Sequence, residues 1–330
     1  MLDVARLAGV STKTVSNVVN GNGYVSSATR ERVESAIRSL DYRVNLAGRA
    51  LRSGRSGVIG LAIPSLSVAY FAELAERVIV AAEEFGLVVQ IERTGSLERE
   101  RSFLASSRVH HLDGLVFNPM DHWSDDLGSV ELPVPTVILG DHAVGPGVVH
   151  VSTDQTAAAQ LATRHLLDIG RRRIAAIGAR SADPRHAASL RFAGYGRALA
   201  AAGIGIDSAL VVEADQWSQV NGALAMRELL SRDVPFDAAI AFNDSLAFGA
   251  MRTLEEAGRH VPADVAIIGI DNIAESEFSI PSLSTVDLGT MQIAETAVQA
   301  LVRQLNSDDP TPPERVPIDF RLVRRESTAA

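Results

Sequence analysis

The sequence predicts an α/β protein with an all-helical head at its N-terminus and a core of two doubly wound lobes. Three observations predict it. Residues 3–40 repeat apolar side chains at helical spacing with turn residues between them. From residue 58 onward, short β-branched runs alternate with amphipathic helical stretches, the pattern of parallel strands buried on both faces. And 330 residues are too many for one ordinary core but suit two or three domains.

In chain order, DVARLAGVSTKTVSNVVN (3–20) reads as two short helices about a tight turn. Ala5 is small where the helices must approach, Gly9 ends the first and allows the turn, and Ser11 can cap the second. Val15 and Val18 form the inner stripe of the second helix, which leaves Thr12, Lys13, Ser16 and Asn17 outside. Short polar groups in that arrangement suit base edges and phosphates, as in a helix-turn-helix; an ordinary helical hairpin has the same spacing. A third helix over about 27–40 presents Val33, Ile37 and Leu40 to the first two. The segment NLAGRALRSGRSG (45–57) is either a flexible basic linker or a short helix, Asn45–Arg52, that forms only against DNA. Gly48 costs such a helix roughly 1 kcal/mol relative to Ala, and eight residues are marginal alone.

Strands are expected at VIGLAI (58–63), LVVQI (87–91), GLVF (114–117), TVIL (136–139), RIAAIG (173–178), AAIAF (238–242) and VAIIGI (265–270). Helices fall between them, as at 71–86, 156–170 and 245–258, and PSLSTVDLG (281–289) and VPIDFRLVRRES (316–327) read as returns between lobes.

The overall charge of −9 is uneven: residues 1–57 hold nine basic and four acidic side chains, the remainder 22 and 36. A basic head on an acidic body is the electrostatic footprint of a nucleic-acid-binding module on a domain that avoids nucleic acid. Lys13 is the only lysine and falls on the outer face of the second helix. The absence of cysteine excludes disulfides, thiolate catalysis and cysteine-based zinc sites. No apolar run approaches the ~20 residues of a membrane span, and the chain enters an amphipathic helix with no signal peptide before it, so a cytoplasmic protein is expected.

In open α/β sheets ligands sit beyond the carboxyl ends of the strands. Asp141 follows TVILG, Asn243 and Asp244 follow AAIAF, and Asp271 and Asn272 follow VAIIGI; Arg191 opens a helical segment and Trp217 lies in an acidic loop. Carboxylates, an amide, a guanidinium and an aromatic plane suit a polyhydroxylated ligand. Asp141, Arg191, Asn243 and Asp271 are read as ligand residues, Asp244 and Asn272 as caps or turns. No nucleophile elbow, Walker loop, zinc-protease or dinucleotide motif is present, and the eight histidines have no ligand spacing, so neither enzyme nor metal nor cofactor is expected.

With DVARLAGVSTKTVSNVVNG, TRERVESAIRSLDY followed by Asn45, RALRSGRSGVIGLAIPSL, TDQTAAAQLATRHLLDIGRRRIAAIG, LRFAGYGRAL, FNDSLAFGAMRTLEEAG, VAIIGIDN and LVRREST, the chain resembles the lactose-repressor (LacI/GalR) family of bacterial transcription regulators from end to end. The resemblance implies a helix-turn-helix domain (1–44), a hinge helix (45–55) and a core similar to type I periplasmic sugar-binding proteins (56–330), with one lobe at about 56–151 and 289–312 and the other at about 152–288 and 313–330. It implies an effector-responsive repressor that binds a pseudo-palindromic operator as a homodimer. Ser11, Thr12, Lys13, Ser16 and Asn17 fall on the reading helix; Asn45 and Gly48 fall in the hinge, and Leu51 where the family inserts a minor-groove wedge. Tyr70 and Phe71 join Asp141, Arg191, Trp217, Asn243 and Asp271 around an inter-lobe pocket for a sugar, sugar derivative or nucleoside. Val44 and Gly48, where Pro and Ala are usual, loosen the hinge, the start at Met1 falls early in the motif, and no heptad tail follows the last strand, so no tetramer is expected. The other class open to these residues is a sugar-binding sensor without DNA activity.

Overall fold

The computed structural model describes residues 1–20, 25–40, 55–119, 132–140, 148–179, 187–307, 309, 312 and 314–329. The chain divides into two compact units, Met1–Ser56 and Gly57–Ala330.

In the first unit, α1 (Leu2–Ala8), α2 (Thr12–Asn20) and α3 (Ser27–Ser39) enclose Val4, Ala5, Ala8, Val15, Val18, Val33 and Ala36. Gly9 ends α1 in the left-handed region at φ 64°, where a side chain would be strained. The Val10 N–H returns to the Ala5 carbonyl at 3.0 Å, which closes the turn. Ser11 Oγ accepts from the Thr14 N–H at 3.1 Å and Ser26 Oγ from the Thr29 N–H at 3.4 Å, so α2 and α3 both start on serine caps. Leu40, expected in the stripe of α3, is exposed instead. It is the C-cap, one residue beyond the last helical position, and Ala36 takes the buried place beside Val33.

The second unit holds two six-stranded sheets. The first contains β1 (Val58–Ile63), β2 (Val88–Arg93), β3 (Gly114–Phe117), β4 (Thr136–Leu139), β5 (Val149–Ser152) and β11 (Glu314–Pro317), in spatial order β11-β5-β4-β3-β1-β2, all parallel. The second contains β6 (Ile174–Ala179), β7 (Val211–Glu213), β8 (Ala238–Ala241), β9 (Ala266–Asp271), β10 (Ser284–Asp287) and β12 (Arg321–Val323), in order β12-β10-β9-β8-β6-β7, with β12 antiparallel to β10. Strands β3, β4, β6, β8 and β9 are buried throughout, as the continuous apolar runs require. Strands β5 and β7 were not among the expected ones. VHVS carries a histidine and a serine, and VVE spans three residues, so neither gives a recognisable run.

Helices α4 (Ala69–Glu83) and α11 (Thr290–Leu305) cover one face of the first sheet, placing Leu74, Val78, Ile293, Ala297 and Leu301 on Ile59, Leu61 and Val116; α5 (Leu97–Leu104) covers the other through Phe103. The second sheet lies between α6 (Gln155–Asp168), α7 (Ala187–Ala201), α8 (Gln219–Ser231) and α9 (Asp244–Glu256).

The chain crosses between the sheets three times, and the crossings are bonded to one another. Thr153 Oγ1 donates to the Leu288 carbonyl at 2.9 Å, and the Ile318 N–H donates to the Ser152 carbonyl at 2.9 Å. The last crossing corrects the lobe limits expected from the resemblance. β11 runs beside β5 from Glu314 to Pro317, so the chain leaves the first lobe after Pro317 and not at 312. The parallel ladder with β5 leaves those four residues no place in the second sheet.

Candidate functional site

On the head, Ser11, Thr12 and Lys13 are exposed at the start of α2, and Ser16 and Asn17 are half-buried one turn later. The first turn of α2 holds no acidic residue. Its first-turn N–H groups and the Lys13 ammonium therefore form a positive end suited to a phosphate or base edge. Ser11 is partly committed to the cap, which leaves Thr12 and Lys13 the most available side chains. Asn45, Gly48, Leu51 and the expected hinge helix lie outside the described residues.

In the core, both sheets reverse their strand order, between β1 and β3 in one and between β6 and β8 in the other. Such switch points open a crevice at the carboxyl ends of the strands. At that edge of the second sheet, Arg191 is the organising group. It is buried in the second turn of α7, and its guanidinium donates to Gln155 Oε1 at 2.8 Å, to the Phe242 carbonyl beyond β8 and to Asp271 Oδ1 at 3.4 Å. Its central carbon stands 4.9 Å from the Trp217 ring centroid. Trp217 Nε1 donates to the Gly178 carbonyl at 3.2 Å, and its ring meets Phe242 edge-on at 6.4 Å. An aromatic plate thus sits over a guanidinium whose fork is already oriented, which is the geometry for holding vicinal hydroxyls under an apolar sugar face.

Asp271 ends β9 with φ 127°, in a region that favours glycine. Burial pushes its carboxyl up to about 8; the Arg191 guanidinium pulls it down, and Asp244 and Glu73 add to the rise. Across the crevice, Tyr70 and Phe71 begin α4 with their rings edge-to-face at 5.2 Å. The Tyr70 hydroxyl is pushed well above the usual phenol range, chiefly by burial and then by the field of Asp271, while Arg191 and Arg77 oppose the shift. Tyr70 of one lobe therefore lies within the electrostatic reach of Asp271 and Arg191 of the other. Asp141 lies outside the described residues.

Asn243 is brought to the same edge but has a different occupation from the one the sequence implies. It is the N-cap of α9: Oδ1 accepts from the Leu246 N–H at 2.8 Å, and Nδ2 donates to the Trp217 carbonyl at 3.3 Å. With the cap taken, Asp244 turns inward, which corrects its reading as a cap. It accepts from Thr285 Oγ1 at 2.6 Å, Ser276 Oγ at 2.7 Å and the Ile273 N–H at 3.1 Å, and burial raises its carboxyl despite these bonds. Asn272 is a turn residue at φ 55°, with Oδ1 accepting from Arg325 Nη2 at 2.8 Å. Sequence reasoning missed Gln155, which orients Arg191, and Asp244, which holds the loop after Asp271. The adjacency of two cap-type residues, Asn243 and Asp244, was the available signal, since a helix uses one N-cap.

Residues 1–45 match the bacterial regulatory proteins of the lacI family, and residues 163–328 match the periplasmic binding protein-like domain. Over 339 residues the chain is 35% identical to the HTH-type transcriptional regulator CelR of Thermobifida fusca, covering 98% of this chain and 96% of that protein. The chain belongs to the LacI family of bacterial regulatory proteins. A putative LacI-family regulator from Sanguibacter keddieii is similar in structure, with 43% identity and a TM-score of 0.78 over 84% of this chain and all of that one. The lac repressor dimer bound to operator and an anti-inducer superposes with a TM-score of 0.81 at 27% identity, covering 99% of this chain and 98% of that one. As a LacI-family member the chain is a DNA-binding transcriptional regulator with an effector core, and family members are regulators rather than enzymes. Among the described residues no helix is long and apolar enough to cross a membrane.

Proposed function

We propose that this LacI-family chain is a homodimeric repressor of carbohydrate-utilisation genes. It binds a pseudo-palindromic operator through Thr12, Lys13, Ser16, Asn17 and Leu51, and takes a sugar-like effector between its lobes. The observation that carries the effector reading is the Arg191 guanidinium, buried, forked toward Asp271 and 4.9 Å from the Trp217 ring. A plate, a fork and a carboxyl at one strand edge suit a ring with apolar faces and hydroxyl edges. A CelR–cellobiose complex, 32% identical with a TM-score of 0.73, supports a sugar as the class. Phe278 at the end of the helix Glu275–Phe278 and Ile280 in the loop that follows, 79% and 97% exposed, support burial against a second copy. The protein works in the cytoplasm, on the nucleoid when DNA-bound.

The ligand acts only through its different affinity for the two lobe arrangements. Thermal-shift screening of the full chain against mono- and disaccharides, followed by operator gel shifts at fixed salt with and without each hit, tests the reading. A sugar that raises the melting temperature and changes operator affinity is expected. Sugar binding with no preference for operator over random DNA would overturn the repressor and leave a sensor; no sugar binding would overturn the effector class.

A further inference from the structure

One contact between the lobes belongs to none of the residues assigned above. Glu73 lies one turn after Tyr70 on α4, so the two share a helix face. Its Oε1 accepts from the Ala274 N–H of the other lobe at 2.6 Å, and its Oε2 stands 3.5 Å from Arg77 Nη2. Ala274 sits three residues after Asp271, in the loop that leads to α10 (Glu275–Phe278). That loop is held rigidly from beneath. The Asp244 carboxylate fixes the Ile273 N–H and the Ser276 hydroxyl, and Thr285 Oγ1, which donates to Asp244, also accepts from the Asn272 N–H at 3.3 Å. A side chain on Gly269 would collide with the Asp244 carboxylate, so the carboxylate can sit against β9 only because residue 269 is glycine. A loop anchored by three such bonds, with the two anchors bonded to each other, transmits force between its two ends. One end carries Asp271 and the other meets Glu73.

We propose that Glu73 is a positioning residue for effector binding: through the Ala274 N–H it holds the face of α4 that carries Tyr70 against the loop that follows Asp271. The proposal deepens the effector reading and rests on it. A carboxylate accepting a short bond from a backbone N–H is among the stronger hydrogen bonds. The solvent-facing side of Glu73 keeps it breakable on the timescale of lobe motion, and Arg77, four residues on, steadies its carboxylate without burying it. Loss of the bond frees the lobes to separate, and an effector must then close them at the expense of its own binding energy.

The test uses the full chain. Because the protein has no cysteine, Glu83→Cys in α4 and Glu213→Cys in β7 give a unique pair of labels, one per lobe, both at exposed positions. Without added sugar, Glu73→Ala is expected to lengthen and broaden the inter-label distance and to speed amide exchange in peptides spanning 272–276 roughly tenfold. Glu73→Gln keeps an acceptor oxygen and should retain most of the wild-type distance, a rescue that a bulk or charge effect does not predict. In the presence of a panel of cellobiose, ribose and galactose, whichever sugar binds the wild type should leave Glu73→Ala about tenfold faster, with little change in association. Unchanged distance and exchange in Glu73→Ala would overturn the proposal, as would a Gln variant as open as the Ala variant. These two measurements need no ligand, so failure of every sugar to bind would remove the effector reading alone.

Discussion

Arg191 and Asp271 meet at 3.4 Å between the second turn of α7 and the end of β9, and each side chain is almost fully withdrawn from water. A buried pair of this kind adds little net stability over an apolar pair, but removing Asp271 leaves the buried Arg191 guanidinium short of an acceptor. Its value therefore lies in orientation. Gln155 takes the Nε–H and the Phe242 carbonyl an Nη1 N–H, so the Nη2 end of the fork is turned toward Asp271 and the crevice.

Arg191→Lys follows from that fork. A lysine supplies one point charge and cannot serve Gln155, Phe242 and Asp271 together. The variant should lose about 1.5–3 kcal/mol of core stability in urea unfolding and at least about tenfold in affinity for the sugar that the wild type binds. Calorimetry on both proteins checks it. A Lys variant with undiminished affinity would mean that the ligand does not use the guanidinium.

The raised carboxyl of Asp271 makes stability depend on pH in a definite direction. Its ordinary value is 3.8 and burial takes it to about 8, so between those values the folded state holds a proton that the unfolded chain has released. The stabilisation is complete below pH 3.8 and is lost as pH rises toward 8; the Asp244 carboxyl, also raised by burial, acts with the same sign. Thermal melts at constant ionic strength should fall steadily from pH 5 to pH 8. Asp271→Asn, which cannot release a proton, should flatten that slope, and an unchanged slope would place the titration elsewhere.

Lys13 stands exposed in the first turn of α2 with no acid near it in that turn. Lys13→Ala should reduce operator and random-DNA affinity together and lower the slope of log K against log salt by about one. A loss confined to the operator would instead make Lys13 a reader of base edges. Fluorescence anisotropy at four salt concentrations separates the two.

The fold was largely legible because its strands are apolar on both faces and its helices on one, and those two periods survive in single sequences. What escaped was set by tertiary contact. Strand β5 is buried with His150 in it, and no local pattern marks VHVS as a strand; only its place between β4 and β11 does. The cluster at the strand ends was legible as chemistry but not as geometry. Arg191, Trp217 and Asp271 do converge, whereas Asn243, read as a ligand residue, caps α9, and Asp244, read as a cap, anchors the loop after Asp271. Gln155 and Glu73 carry no motif. Their importance comes from reaching Arg191 and Ala274, which are distant in sequence.

Helical glycines offer the sharpest conflict between local and tertiary rules. Helix propensity alone makes Gly249→Ala in α9 stabilising by about 1 kcal/mol. Yet a Cβ on Gly249 would enter the Gln219 carbonyl of α8, and one on Gly222 of α8 would enter the Leu246 carbonyl of α9, so the two helices touch backbone to backbone through reciprocal glycines. Neither contact can be relieved by turning a side chain. Gly249→Ala is therefore expected to destabilise the core by about 3 kcal/mol or more, the upper end of overpacking costs. Gly205, exposed and with nothing within 4 Å of a Cβ, is the control, and Gly205→Ala should change stability by less than about 0.5 kcal/mol. Urea melts of both variants decide the matter: a stabilised Gly249→Ala would mean that α8 and α9 can part without cost, and the close crossing would then lose its structural role.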